Sequence, residues 1–252
     1  MNEETIKKMK DMRLSGMFRA FTTSLENEQQ NRYTPDEMVA FLVQSEWDDR
    51  QNRAIHRLIT NARFRYNASI ELLHYDSNRN LDKNQILRYA DCSYIKANEN
   101  ILITGSTGIG KSYIATALGY QACMQGYKVM YANTGKLFSR LKMAKANGLY
   151  LKEIAKIERQ DLLILDDFGL QPLDTVNRNM LMEIIEDRHG KGASIMTSQL
   201  PVNKWYEVIG EQTVADAILD RIVHSAHRIE IKGESLRKKL TDIKIKTENT
   251  NN

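Results

Sequence analysis

The rhythm of apolar and polar positions along this chain changes near residue 100. Before it, apolar residues recur at Met38, Phe41, Leu42, Trp47, Ala54, Ile55, Leu58 and Ile59, close enough to a helical period to predict one long amphipathic helix. Its start is marked by Thr34-Pro35-Asp36-Glu37: Thr34 can cap, Pro35 suits the first helical position, and Glu37 completes a capping box. The first ~90 residues read as helical throughout, with polar Asp76 to Asn80 as a linker.

From Asn100 onward, short apolar runs alternate with helical segments. Strands are predicted at Ile101 to Thr104, Val129 to Ala132, Leu162 to Leu165, Ala193 to Thr197 and Arg228 to Ile231. That alternation implies an α/β fold, with a mostly parallel sheet covered by helices on both faces. The chain therefore divides into a small all-helical N-terminal domain over 1–75, a linker and entry to the core over 76–99, a core over 100–240, and a polar tail over 241–252 that is expected to be disordered.

Composition adds mainly exclusions. A hydrophobic content of 42% is enough for a buried core, while no run approaches the roughly 20 apolar residues of a membrane span. The first ten residues are polar rather than signal-like, so a cytoplasmic location with no membrane partner is expected. The two cysteines, Cys92 and Cys123, lie in no zinc or redox spacing, and His224 and His227 lack companions for a metal site. A net charge of +4 permits an acidic partner without requiring one.

The candidate chemistry begins where the first predicted strand ends. Gly105-Ser106-Thr107-Gly108-Ile109-Gly110-Lys111-Ser112 follows Ile101-Leu102-Ile103-Thr104 and precedes a helical pattern from Tyr113 to Gln125. This is the strand, loop and helix context of a P-loop. Its glycines let successive backbone N–H groups turn toward phosphate oxygens at the positive end of a helix. Lys111 is expected to reach the β and γ phosphates of ATP, and Ser112 to take a Mg²⁺ position. Downstream, Leu162-Leu163-Ile164-Leu165-Asp166-Asp167 is a buried-strand pattern ending in two carboxylates, a Walker B arrangement. Asp166 is expected in the Mg²⁺ shell, and Asp167 is expected to orient or deprotonate the attacking water.

With those motifs in place, further segments become recognisable: Ala193-Ser194-Ile195-Met196-Thr197-Ser198-Gln199-Leu200-Pro201, Ala217-Ile218-Leu219-Asp220-Arg221-Ile222, His227-Arg228-Ile229-Glu230-Ile231 and Gly233-Glu234-Ser235-Leu236-Arg237. Together with Arg63-Phe64 they resemble the IstB-like family, ATPase helpers of insertion-sequence transposition in the AAA+ initiator group, similar to the helicase loader DnaC. The resemblance covers most of the chain. It implies a P-loop AAA+ core, a γ-phosphate sensor at Gln199 in preference to Ser198, and an arginine finger at Arg221 that enters a neighbouring subunit's site. Arg237 is a candidate for a lid arginine, since the chain leaves little room after Ile231 for a full helical lid. The loop departs from the family's more frequent Gly-Pro-Pro-Gly-Thr-Gly but keeps each glycine, the lysine and the hydroxyl. Asp167 is one methylene shorter than the usual AAA+ glutamate, which implies slow turnover.

Three segments are locally basic: Gln51 to Ile70, Thr134 to Leu149, and Arg221 to Lys246. The second lies where AAA+ initiators insert an extra helix. There Lys142 and Lys145 are placed to follow a phosphate backbone while Leu137, Leu141 and Ala144 face the core. Arg53 and Arg57 are further candidates for DNA contact. The resulting expectation is an ATPase that forms an ATP-bridged homo-oligomer on duplex DNA and recruits a cognate transposase. A DnaC-like helicase loader is the alternative, and a small-molecule kinase or a non-hydrolysing clamp are readings from other classes.

Overall fold

The computed structural model describes residues 2–27, 33–75 and 79–236. Arg237, the 241–252 tail and part of the Asp76–Asn80 linker lie outside the described residues. The chain forms two compact units, Met1–Arg57 and Leu58–Asn252. No helix among the described residues is long and apolar enough to cross a membrane.

The first unit contains α1 (Asn2–Asp11), α2 (Ser15–Glu26) and most of α3 (Pro35–Ala62). The capping box forms at the start of α3: the Thr34 amide donates to Glu37 Oε2 at 2.8 Å, and the Glu37 amide donates to Thr34 Oγ1 at 3.3 Å. The apolar positions are only partly covered: Met38, Leu42, Ala54 and Ile55 are half-buried, while Trp47 is 60% exposed and Phe41 37%. A carboxylate is enclosed instead. Glu46 on α3 accepts the Gly16 and Met17 amides at the start of α2, at 2.8 and 3.2 Å. Those N–H groups have no partner within their own helix, so a carboxylate from α3 completes them. The approach is close: a Cβ on Gly16 would stand 2.3 Å from the Ser45 carbonyl oxygen.

The second unit begins with the last turn of α3 and continues through α4 (Lys83–Ala90) and α5 (Ser93–Lys96). Then follow β1 (Ile101–Gly105), α6 (Lys111–Met124), β2 (Val129–Asn133), α7 (Thr134–Ala146), α8 (Tyr150–Glu158), β3 (Leu162–Phe168), α9 (Thr175–Arg188) and β4 (Ala193–Ser198). A short 3-10 turn leads to α10 (Trp205–Ile209), α11 (Gln212–Val223) and β5 (His227–Ile231). All pairings are parallel, in the order β2-β3-β4-β1-β5.

Each strand feeds both faces of the sheet by simple alternation. Ile101, Ile103, Leu162, Ile164 and Ile195 join α6 on one face, while Leu102, Leu163, Leu165 and Met196 join α7, α9 and α11 on the other. Because every strand runs the same way, all five C-terminal ends share one edge of the sheet. In such folds that edge is where ligands bind.

Candidate nucleotide site

The loop Gly105–Ser112 leaves β1 at this edge and opens α6 with Gly110 as its N-cap. Gly105, Gly108 and Gly110 have φ of 149°, 79° and 102°, conformations that side-chain-bearing residues resist. At Gly105 space is also closed, since a Cβ would meet the Ile231 carbonyl oxygen at 2.4 Å. Ile109 is fully buried and acts as the loop's hydrophobic pin. The Lys111 ammonium is folded back over the loop, donating to the Gly105 and Ser106 carbonyls at 2.8 Å each. A loop of this shape presents amides and one ammonium to the same small volume, which suits phosphate oxygens.

Two other segments close on the loop. The Arg79 guanidinium donates to the Ile109 carbonyl, and the Leu236 amide donates to the Gly108 carbonyl at 3.0 Å. The segment after β5 thus lies directly against the phosphate loop.

β3 supplies the acids. Asp166 is fully buried, with Oδ1 accepting from the Thr197 hydroxyl at 2.5 Å and Oδ2 accepting from the Tyr131 hydroxyl. Burial, and then the bond to Asp166, push the Tyr131 phenol far above its ordinary value, so it remains a donor. The register of β3 against β4 slips between Leu165 and Phe168, and Asp167 has a left-handed φ of 59°. That bulge turns the Asp167 carboxylate to where Asn133 donates to it at 3.0 Å. Thr197 links the two acids, because its Oγ1 accepts the Asp167 amide at 3.0 Å while donating to Asp166.

Arg65 completes this cluster, with its Nη1 at 3.8 Å from Asp166 Oδ2 and 3.5 Å from Asp167 Oδ2. From the sequence, none of Arg65, Tyr131, Asn133 and Thr197 carries a role at these acids: Arg65 counts only toward the basic Gln51 to Ile70 stretch and Thr197 only toward the fourth-strand motif. Thr197 offers a local signal, a hydroxyl at the end of a predicted strand; Arg65 lies about a hundred residues from the acids, and its basic stretch does not point to them.

The remaining candidates fall in different places. Gln199 reaches the loop, accepting from the Thr107 hydroxyl at 2.6 Å. Ser198 is fully buried and donates to the Phe168 carbonyl at 2.8 Å, which ties it to the β3 turn. Arg221 stands at the opposite edge of the sheet, where Asn100, just before β1, donates to the Arg221 and Ile222 carbonyls at 3.4 and 3.2 Å. Its guanidinium pairs with Glu186 at 3.3 Å and lines a cleft of about 210 Å³ with Asn98, Asn100 and Arg188.

On α7, Leu137, Leu141 and Ala144 are buried as their spacing implied. Lys142 pairs with Asp174 at 2.9 Å, and the Lys145 ammonium sits 5.7 Å from the Tyr150 ring centre. Both lysines remain at the surface. In the first unit Arg53 is paired with Asp49 at 2.7 Å and Glu46 at 3.6 Å, whereas Arg57 is exposed.

The architecture and loop have counterparts among known proteins. The family model described as IstB-like ATP binding protein matches residues 7–243. A Sinorhizobium fredii protein described as a candidate insertion sequence ATP-binding protein is 41% identical over 234 residues, 93% of this chain and 96% of that one. Among solved structures, the DnaC helicase loader superposes with a TM-score of 0.57 at 21% identity, covering 66% of this chain and 98% of that chain. A replication initiator DnaA bound to AMPPCP and single-stranded DNA gives a TM-score of 0.58 at 20% identity, covering 74% of this chain and 57% of that chain. At such identities the two structures speak for a P-loop AAA+ fold and no more. The family match spans nearly the whole sequence, and by it the chain belongs to the IstB-like ATP binding proteins.

Proposed function

We propose that this chain is an ATP-hydrolysing subunit of insertion-sequence transposition, one that assembles with ATP between subunits on duplex DNA and recruits and stimulates a transposase. The observation that carries the reading is the meeting of the Gly105–Ser112 loop with Gln199, beside the Asp166–Asp167 strand end, at one sheet edge. Family membership and relatives described as insertion sequence proteins support the biological setting.

In this reading the loop amides and Lys111 hold the phosphates of ATP. Lys111 exchanges its two carbonyl acceptors for phosphate oxygens, a stronger charge-assisted bond. Ser112 and Asp166 hold Mg²⁺, for which a hydroxyl and a carboxylate are fitting hard donors. That ion, when bound, neutralises charge on the phosphates. Asp167 orients the attacking water, and Gln199 reads the terminal phosphate through its position beside Thr107.

Arg221 lies at the far sheet edge from its own loop, so its action on a phosphate requires a second subunit. Hydrolysis is then a property of the assembly, with Arg221 stabilising the charge that develops on the transferred group. Lys142 and Lys145 lie on the surface of α7 and serve as backbone contacts to DNA, which fix position without reading sequence. In the helical unit Arg57 is exposed and offers a backbone contact of its own, whereas Arg53, like Lys142 with Asp174, would first have to leave its carboxylate partners.

The test is the molecular mass on duplex DNA, with and without ATP, for the parent and for Arg221→Ala. The parent should grow in mass with ATP. The variant should still bind ATP while losing about 10³-fold in phosphate release, the scale on which arginine fingers act. No ATP-dependent change in either protein would sink the assembly reading. A pull-down against transposase and replicative helicase separates this function from helicase loading, and capture of the helicase alone would reverse the choice.

A further inference from the structure

The acids at the end of β3 already face a cation supplied by the protein. Arg65 is 47% exposed at its side chain, while Asp166 is fully enclosed and Asp167 is 21% exposed. The separations of 3.5 and 3.8 Å are ion-pair distances, looser than the ~2.8 Å of a tight charge-assisted bond. The guanidinium is thus near enough to neutralise the pair and loose enough to be displaced.

Its position is built rather than incidental. Tyr66 carries the Arg65 guanidinium at 5.3 Å from its ring centre, and the Tyr66 and Tyr113 rings lie 6.5 Å apart. Phe64, on the other side, packs so close to Gly119 of α6 that a Cβ there would stand 2.8 Å from its ring. Residues on both sides of Arg65 are therefore held against the helix that emerges from the phosphate loop. A surface arginine with free rotamers would be a weak ion-pair partner, but one pinned at its backbone keeps its charge at the acids.

We propose that Arg65 is an internal counter-ion of Asp166 and Asp167 that competes with a divalent cation for their oxygens and so sets the Mg²⁺ concentration at which the site takes up metal-bound nucleotide. The proposal rests on the nucleotide-site reading above. Two like charges do not share one carboxylate pair at low cost, so the guanidinium swings toward solvent, where its exposed half already lies, as the metal enters.

The experiment titrates Mg²⁺ against binding of a fluorescent ATP analogue to the full chain. Arg65→Gln keeps most of the stem and removes the charge; Arg65→Lys keeps a charge at the same place. Arg65→Gln should lower the Mg²⁺ midpoint by about three- to fivefold, a modest shift because the pair is half exposed. Arg65→Lys should stay close to the parent, and Lys156→Gln on α8 should leave the midpoint unchanged, excluding a general charge effect. Binding of the analogue in EDTA should be the same for Arg65→Gln and parent, because the competition is for metal.

An unmoved midpoint in Arg65→Gln overturns the proposal while leaving the nucleotide site standing. So does a raised midpoint, or weaker binding in EDTA, which would make Arg65 a phosphate ligand. If the parent binds no analogue at any Mg²⁺ concentration, the site reading fails and this proposal fails with it.

Discussion

Among the described residues of Met1–Arg57, the enclosed positions are Gly16, Ser24 and Glu46, whereas the sheet unit encloses Ile101, Leu102, Ile103, Ile164, Leu165 and many more apolar side chains. The two regions are stabilised by different chemistry. In the sheet, apolar burial on both faces provides the stability, and enclosed polar groups such as Asp166, Arg188, Thr197 and Ser198 are hydrogen-bonded. In the helical unit, a carboxylate closes the start of a neighbouring helix, and Val39, Val43 and Trp47 stay 61%, 52% and 60% exposed. A helix with an apolar stripe buries it only if a second surface is present to receive it.

The largest effect should come from attacking the sheet unit at an enclosed guanidinium outside the nucleotide site. Arg188 is 3% exposed and donates to the carbonyls of Ile157, Gln160 and Ala193 at 3.0, 2.8 and 2.6 Å. Burial pushes its pKa down to about 10. Arg188→Met leaves those carbonyls unpaired and should cost about 3 kcal/mol or more, read as a fall in the denaturation midpoint of the sheet unit. A loss under about 1 kcal/mol would mean that water replaces the guanidinium, and the contrast between the units would weaken.

The next effect is confined to the helical unit. Gly16→Ala drives a methyl group into the Ser45 carbonyl and the α3 backbone, and should destabilise α2 against α3 by about 1–3 kcal/mol. Hydrogen exchange should rise through Ser15–Glu26 with the sheet strands unchanged. Equal protection in both proteins would show that the helices do not depend on this contact.

The smallest effect is a pH dependence that separates the units further. Burial opposes the Glu46 charge, but the Arg50 hydrogen bond and the Met17 and Gly16 amides outweigh it and hold its carboxyl below the ordinary 4.5. A depressed folded value means that the stabilisation is complete above about pH 4.5 and fades as pH falls through the folded value. Acid should therefore loosen α2 and α3, and Glu46→Gln should flatten that dependence while lowering stability at neutral pH. Circular dichroism of the parent and variant between neutral and acid pH checks both signs.

The strands were legible because parallel strands buried on both faces must be apolar runs, and each predicted run became one strand. Their ends were less so. β3 continues past Leu165 to Phe168 although Asp166 and Asp167 are charged, because pairing with Asn133 and Ser198 holds the backbone extended around the bulge. Phe41 and Trp47 mark the opposite case, where an apolar residue at helical spacing carries no statement about what will cover it. The basic stretch from Gln51 to Ile70 contains no acid of its own, but Asp49 and Glu46 lie one and two turns before Arg53 on the same helix and pair with it.

The sequence alone determined the phosphate loop, since glycines at the positive-φ positions and a lysine at the helix start are local requirements that neighbours in the chain satisfy. It also determined that two acids would end a buried strand. Only the tertiary structure decided what surrounds those acids. The order β2-β3-β4-β1-β5 sets Tyr131 and Asn133 on one side of Asp166 and Asp167 and Thr197 on the other, and the chain before the core brings Arg65 to the same point. These partners are remote in sequence and act through hydrogen bonds and charge at a few ångströms. No local pattern encodes such distances; the packing of the sheet does.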